Sequence, residues 1–345
     1  LKGFVSIIIP AYNYGHFLKS CLHSVFGQDF PEEQREIIVI NDGSTDNTSE
    51  ILLEFADKIK RIDQGNQGQA ASVSNGLQVA AGEVVAFLDP DDEWYPAKLR
   101  RTLLEFDDED VGMVQHQMDI QENGKLTRRR LHSTLSCGWI GKEALTYRFH
   151  FMPMSALVFR KSVLEKVCPV PLTFRSGGCD SYFAITAALF SRVAAVDEAL
   201  GIYRIHGANA FTDNFSIESL RVQLAVEKVL YERAAEVAES FGIKPPEEFK
   251  RIEFAEFPIS RKIDLAREEG DFLKIAKLYS DYVRKYALPE YGPGLRFLMR
   301  ALRMGLYGLL SPRIYKKLRL LANTAFFRKK RSGSIIGQSH ARIDS

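Results

Sequence analysis

Strand and helix signatures alternate through the first hundred residues, and this alternation constrains the fold more than any other feature of the chain. Val5–Ile9 is a short apolar, β-branched run ended by Pro10. Between Tyr14 and Phe26, Phe17, Cys21 and Val25 recur at four-residue spacing, as do Leu18, Leu22 and Phe26. That spacing marks an amphipathic helix. Glu36–Ile40 predicts a second strand, and Asn47 with Glu50 predicts a capped helix running to Ala56. Ile59–Ile62, Gln69–Ala81 and Glu83–Leu88 continue the series as strand, helix and strand. Strands that alternate with helices build a largely parallel, covered sheet, and such sheets bind ligands outside the carboxyl ends of their strands.

The loops leaving those strand ends are where chemistry is expected. They are Pro10-Ala11-Tyr12-Asn13, Asn41-Asp42-Gly43-Ser44-Thr45-Asp46, Gln64–Gly68 and Asp89-Pro90-Asp91-Asp92. The three carboxylates of the last loop repel one another unless a cation or solvent screens them. A divalent metal with hard oxygen ligands would do so, since Mg²⁺ takes one or two carboxylates together with substrate phosphates. A solvated Asp-Pro turn with an acidic helix start is the competing explanation. Asp42 read alone is an Asx-turn residue, and Asp46 reads as a helix cap.

Further along, Pro96 stands where a helix would start. Val111–Met118 and Ala156–Phe159 look like strands, and Asp180–Leu189 looks like a helix. From about Ser216 the pattern is helical, with Ile217, Leu220 and Leu224 on one face and Phe272, Ile275, Leu278 and Tyr282 on another. The expected organisation is an α/β unit over 1–212, divided into halves 1–95 and 96–212, and a helical extension over 213–345.

With 345 residues, 46% of them hydrophobic, the chain can bury a sizeable core, which excludes disorder and collagen-like repetition. Its four cysteines are too scattered for a zinc pattern or a disulfide scaffold, which favours a reduced, cytoplasmic setting. Charge is distributed unevenly. Residues 291–345 carry 12 Lys and Arg against one acid, whereas the other residues carry 34 basic and 43 acidic side chains. Leu295, Leu298, Leu302, Leu306 and Leu309 recur there at helical spacing beside Arg296, Arg300 and Arg303. Those arginines rule out a membrane-crossing helix, but a basic amphipathic segment can lie on an anionic membrane surface. Packing of its apolar face on the rest of the chain is the alternative. No interleaved recognition motif points to nucleic acid. The first residues lack the pattern of a signal peptide.

In order and spacing, Val5–Asn13, Val39–Asp46, Asn66–Gly68 with Asn75-Gly76, Gly82, Phe87–Trp94, Asp180 and Tyr203-Arg204-Ile205-His206-Gly207 resemble the family 2 glycosyltransferases of the GT-A fold. The resemblance covers residues 4–212. It implies an α/β nucleotide-sugar-binding fold and an inverting, metal-dependent transfer of a sugar to a glycan or lipid-linked acceptor, in cell-surface polysaccharide synthesis. It implies donor contacts from Pro10, Ala11, Tyr12, Asn13, Asp42, Gln67, Gly68, Asn75 and Asp89. Asp42 would hydrogen-bond the base, and an acceptor-only carboxylate suits the imide N–H of uracil or the N–H edge of guanine, with uridine favoured. Asp91 and His206 would hold Mg²⁺ or Mn²⁺, and Asp180 would be the general base.

The same comparison leaves Asp92 as a supporting acid or helix cap, reads Trp94 as a packing residue, and leaves Arg204 between donor and acid. Two departures from the family pattern stand out: Ser74 where many relatives have Arg, and Cys179 where an acid commonly precedes the base. A non-catalytic nucleotide-sugar-binding module would keep Asp42 and Asp91 but need no base. A sugar-phosphate nucleotidyltransferase would need a Gly-rich, basic loop after the first strand, which Pro10–Asn13 is not.

Overall fold

A computed structural model describes residues 3–122, 124–132, 134–145, 149–175, 177–206, 216–245, 256–271 and 273–278. They fall into two compact units, Leu1–Asn214 with Ala225–Ile252, and Phe215–Leu224 with Glu253–Ser345. The fold is α/β, as the alternation requires.

In the first unit β1 (Val5–Ala11) is followed by α1 (Gly15–Phe26), β2 (Arg35–Asn41), α2 (Thr48–Glu54), β3 (Lys60–Asp63), α3 (Gln69–Val79) and β4 (Val84–Phe87). These four strands run parallel in the order β3-β2-β1-β4. Every residue of β1 and β4 is buried, as expected for strands covered on both faces. On one face Leu18, Cys21, Leu22 and Val25 of α1 join Ile7, Ile9 and Val39 in the core. On the other, α3 lies so close that a Cβ on Gly76 would come within 2.7 Å of Ile8.

The element boundaries in this half differ from expectation by no more than two residues, and one cap differs in kind. Asn47 occupies the N-cap of α2 but its side chain makes no capping bond. Asp46 does this instead, accepting the Thr48 N–H at 3.0 Å and the Gly15 N–H at 2.9 Å. One carboxylate thus serves the starts of two helices, in line with the preference for acids there.

The remainder of the sheet is mixed. It contains β5 (Glu93–Trp94), β6 (Val111–Glu122), β7 (Lys125–Arg130), β8 (Leu157–Arg160) and β9 (Arg192–Ile205), with α4 (Lys98–Leu103), α5 (Gly141–Leu145), α6 (Lys161–Val167) and α7 (Cys179–Phe190) beside it. Two pairings place the site. β8 runs antiparallel to β4, with Ala86 opposite Val158, so the start of β8 meets the exit of β4. β5 runs antiparallel to β9, with Glu93 opposite Ile202, so the end of β9 meets the turn that carries Asp91 and Asp92. Trp94 is buried, as a packing residue should be, and its indole N–H donates to Ser155 O at 2.8 Å.

Helix α8 (Ile217–Ser240) follows, and beyond it a helix spans Glu256–Glu268. In the second unit Ile263, Ala266 and Ile275 form a small core with Leu278 packed against it. Among the described residues no helix is long and apolar enough to cross a membrane. The basic segment 291–345 and Gly207 lie outside the described residues.

Candidate active site

The strand-end loops converge at one edge of the sheet. Asp42, on the loop after β2, is buried, and its carboxylate is held by three donors. Oδ1 accepts Gln64 Nε2 and the Gln67 N–H at 2.7 Å each, and Oδ2 accepts the Gly68 N–H at 2.8 Å. A carboxylate offers about four lone-pair sites, so one acceptor position is left for a ligand N–H. Asn75 does not reach this position directly. Its amide donates to Gln64 Oε1 at 2.6 Å and so orients the Gln64 amide toward Asp42. Asn13 is a latch as well: its side-chain oxygen accepts the Thr45 N–H at 2.7 Å and its own N–H donates to Ser44 Oγ at 3.0 Å. It does so at φ 59°, a conformation that Asn tolerates better than most residues. Pro10 and Ala11 are buried in β1, and Tyr12 and Gln67 are the exposed side chains of this group.

The turn after β4 is organised by residues that carry no sequence signal of their own. Ser155, fully buried just before β8, accepts the Asp89 N–H at 3.0 Å and donates to Asp92 Oδ2 at 2.6 Å. Asp92 Oδ1 accepts the Arg204 N–H at 3.0 Å. Asp92 is therefore a joint between strands, and capping of the following helix is not its role. The Arg204 guanidinium bonds Asp91 O at 2.9 Å and Gln121 Oε1 at 3.1 Å, and it forms an ion pair with Glu93. The alternatives left open for Arg204 thus resolve toward an acid.

His206, just past β9, brings Nε2 to 2.9 Å from Asp91 Oδ2. Tyr14 and Phe17 of the first loop and α1 pack on its ring, with centroids 5.9 and 4.9 Å away. On the far side, Asp180 lies in the first turn of α7, following Gly178 at φ 104°. Its Oδ1 accepts the Ser181 N–H at 2.7 Å.

Electrostatics show that these acids share one space. Burial raises the Asp89 carboxyl well above the usual carboxylate range, and the charges of Asp91 and Asp180 add to the shift. Burial, then Asp91 and Asp89, do the same to Asp92. Burial also raises Asp180, with the Ser181 hydrogen bonds acting against it. The Tyr203 phenol is held protonated by burial and then by Asp92, Asp89, Asp91 and Asp180 together. Cys179, next to Asp180, is fully buried.

Such a concentration of negative charge is what a divalent cation would offset. Among the described residues no three His, Cys, Asp or Glu side chains are arranged as a metal cage. Asp91 Oδ2 and His206 Nε2 nevertheless stand side by side, 2.9 Å apart, one hard oxygen and one imidazole nitrogen of the types that Mg²⁺ or Mn²⁺ accepts beside substrate oxygens.

A mixed α/β sheet with acids gathered at the carboxyl ends of its parallel strands has its ligand-binding edge there. Residues 6–168 match the sequence profile of Glycosyl transferase family 2, and the chain belongs to that family. It is similar to an uncharacterized glycosyltransferase of Nostoc sp., 37% identical over 219 residues, which are 59% of this chain and 66% of the relative. The matched regions span 66%, 40% and 58% of the lengths of three curated relatives. In fold the chain is similar to Staphylococcus aureus TarS in complex with UDP-GlcNAc, with TM-score 0.54 and 17% identity, covering 82% of this chain and 92% of that one. A Pyrobaculum calidifontis mannosyltransferase in complex with GDP-Man and Mn²⁺ gives TM-score 0.53 and 17% identity, covering 90% and 88%.

Proposed function

We propose that the protein transfers a sugar from a nucleotide-sugar to a hydroxyl of a glycan or lipid-linked acceptor, with inversion at the anomeric carbon. The observation that carries this reading is the gathering of Asp42 from the loop after β2, Asp89 and Asp91 from the loop after β4, and Asp180 from the first turn of α7 at one edge of the sheet.

Pro10–Tyr12 and the remaining acceptor position of Asp42 bind the nucleoside. An acceptor-only group selects a base N–H, and we favour uridine, although solved relatives of this fold carry either UDP-GlcNAc or GDP-Man. Asp91 and His206 would hold Mg²⁺ or Mn²⁺, which would supply Lewis-acid neutralisation of the departing diphosphate. Asp180 takes the proton of the acceptor hydroxyl as its oxygen attacks the anomeric carbon. The glycosyl–phosphate bond breaks on the opposite face and the nucleoside diphosphate leaves with its electron pair. A single displacement with one base gives inversion and no covalent sugar–protein intermediate. The raised Asp180 carboxyl is a better base than an ordinary one.

We further propose that the basic segment 291–345 places the protein on the cytoplasmic face of an anionic membrane, on the strength of its 12 basic residues against one acid. Pelleting with anionic but not neutral liposomes, lost at high salt, would support this.

A thermal-shift screen of nucleotide-sugars, with and without Mn²⁺, tests base, sugar and metal together. The donor that stabilises the protein should then be consumed when acceptor is added, by wild type and not by Asp91→Ala or Asp180→Asn. Undiminished turnover in both variants would reject the site, and binding without turnover in wild type would reject catalysis.

A further inference from the structure

The loop that holds Asp42 has used up the groups by which it would ordinarily grip a phosphate. The N–H groups at the start of a helix are a ready anion site. At α3, however, the Gly68 N–H is spent on Asp42, the Gln69 N–H on Arg175 O at 2.8 Å, and the Ala70 N–H on Phe174 O at 3.2 Å. The Ser74 hydroxyl, further along α3, is turned back onto Ala70 O at 2.8 Å. Arg204 is committed to Glu93 and to the Asp91 backbone. A donor diphosphate beside Asp89 and Asp91 would therefore meet no cation from any of these groups.

Arg175 remains. It lies directly over the donor loop: a Cβ on Gly68 would fall 2.3 Å from Arg175 Cγ and 2.8 Å from its Cα, and Gly68 sits at φ 91°. Only a glycine at 68 allows this approach. The guanidinium reaches across the loop, with Nη2 donating to Asn66 O at 2.7 Å and Asn66 Oδ1 at 2.9 Å. Nε and Nη1 make no hydrogen bond to any described residue, and the side chain is exposed. Arg presents a planar fork of five donors suited to phosphate oxygens, so the uncommitted edge is a phosphate-binding edge. Gln69, next to the Gly68 contact, lies close enough to Asp89 for its side chain to oppose the upward shift of that carboxyl, so the same stretch of loop borders the acids.

We propose that Arg175 contacts the diphosphate of the nucleotide-sugar donor and supplies the cation that α3 does not. The inference rests on the nucleotide-sugar reading above. It also links the two ends of the reaction, because the chain continues from Arg175 through Gly177 and Gly178, both at positive φ, to Asp180.

The test is calorimetric titration of the full chain, in Mn²⁺, with uridine, UMP and UDP and in parallel with guanosine, GMP and GDP. Wild type is compared with Arg175→Ala, Arg175→Gln and Arg175→Lys. Affinity for the diphosphate should fall roughly ten-fold in the Ala and Gln variants, the worth of a charge-assisted hydrogen bond. The nucleoside should be nearly unaffected and the Lys variant partly restored. An equal loss for nucleoside and diphosphate would make Arg175 a support for the Gly68 loop and overturn the proposal, and so would no loss at all. If the Ala variant does not fold, the Gln and Lys variants carry the same comparison. If wild type binds none of the six ligands, the nucleotide-sugar reading itself fails and this inference falls with it.

Discussion

His206 Nε2 lies 2.9 Å from Asp91 Oδ2, one of the contacts that join the end of β9 to the turn after β4. Tyr14 and Phe17 hold the ring in place. If the pair binds the metal, His206→Ala should raise the Mn²⁺ concentration for half-maximal turnover by at least ten-fold, about the cost of disturbing a metal site's immediate support. His206→Asn, which restores a polar contact to Asp91, should recover stability but not Mn²⁺ affinity. An unchanged Mn²⁺ dependence would remove His206 from the ligand set.

From the turn that precedes β8, Ser155 joins two acids, accepting the Asp89 N–H and donating to Asp92. Ser155→Ala orphans the Asp89 N–H and leaves the buried Asp92 with one donor fewer. The expected cost is about 1–3 kcal/mol, read from urea denaturation. Turnover should fall as well, because both acids border the donor site. A fully stable Ser155→Ala would mean that water replaces the hydroxyl.

This serine also shows where the sequence stops being readable. The parallel half of the sheet follows from apolar runs and four-residue spacing, and its loops announce themselves through Asp, Asn and Gly. Ser155 precedes an ordinary apolar strand and acquires its role only because β8 runs antiparallel to β4, a pairing no local pattern encodes. β9 was hidden for a different reason. Asp197 and Glu198 interrupt its apolar pattern, and its pairing with β6 shifts register near His116 and Gln117.

The legible residues divide in a similar way. Asp42, Asp89, Asp91 and His206 lie in or beside the loops at the strand ends, and Asp46 caps as its residue type suggests. Asn13 and Asn75 belong to the same motifs, yet their amides are turned toward Ser44, Thr45 and Gln64. A motif match identifies which residues gather at a site. It does not say whether a given amide faces the ligand or the loop that faces the ligand.

Asp42 tests that distinction. Asp42→Ala leaves Gln64, Gln67 and Gly68 without their acceptor and should cost about 1–3 kcal/mol for each donor that stays buried. Asp42→Asn keeps one oxygen for the loop but presents an N–H₂ where the base N–H should dock. It should fold, and it should lose affinity for the free nucleoside as much as for the diphosphate. This is the reverse of the pattern expected at Arg175, so the two variants together separate recognition of the base from recognition of the phosphates.

Asp180 sets stability against activity. Burial raises its carboxyl above the unfolded-chain value of 3.8, so the folded protein holds that proton more tightly than the unfolded chain does. Its contribution to stability is fully present below the unfolded pKa and is lost as pH rises through the folded one. Near neutral pH the ionised Asp180 is therefore a cost to the fold. Asp180→Asn removes that cost, so its melting temperature should exceed that of wild type at pH 7, by roughly 2–4 °C for each kcal/mol recovered. The two should converge at a pH below 3.8. Turnover should move the opposite way, falling roughly 10²–10⁴-fold with the loss of a general base. In wild type, the acid limb of kcat/KM should have its midpoint above 3.8, because the base must be ionised to accept the hydroxyl proton. A more stable but inactive Asp180→Asn would place the unfavourable charge and the chemistry on the same carboxylate. A less stable variant would instead make Asp180 a structural cap on α7.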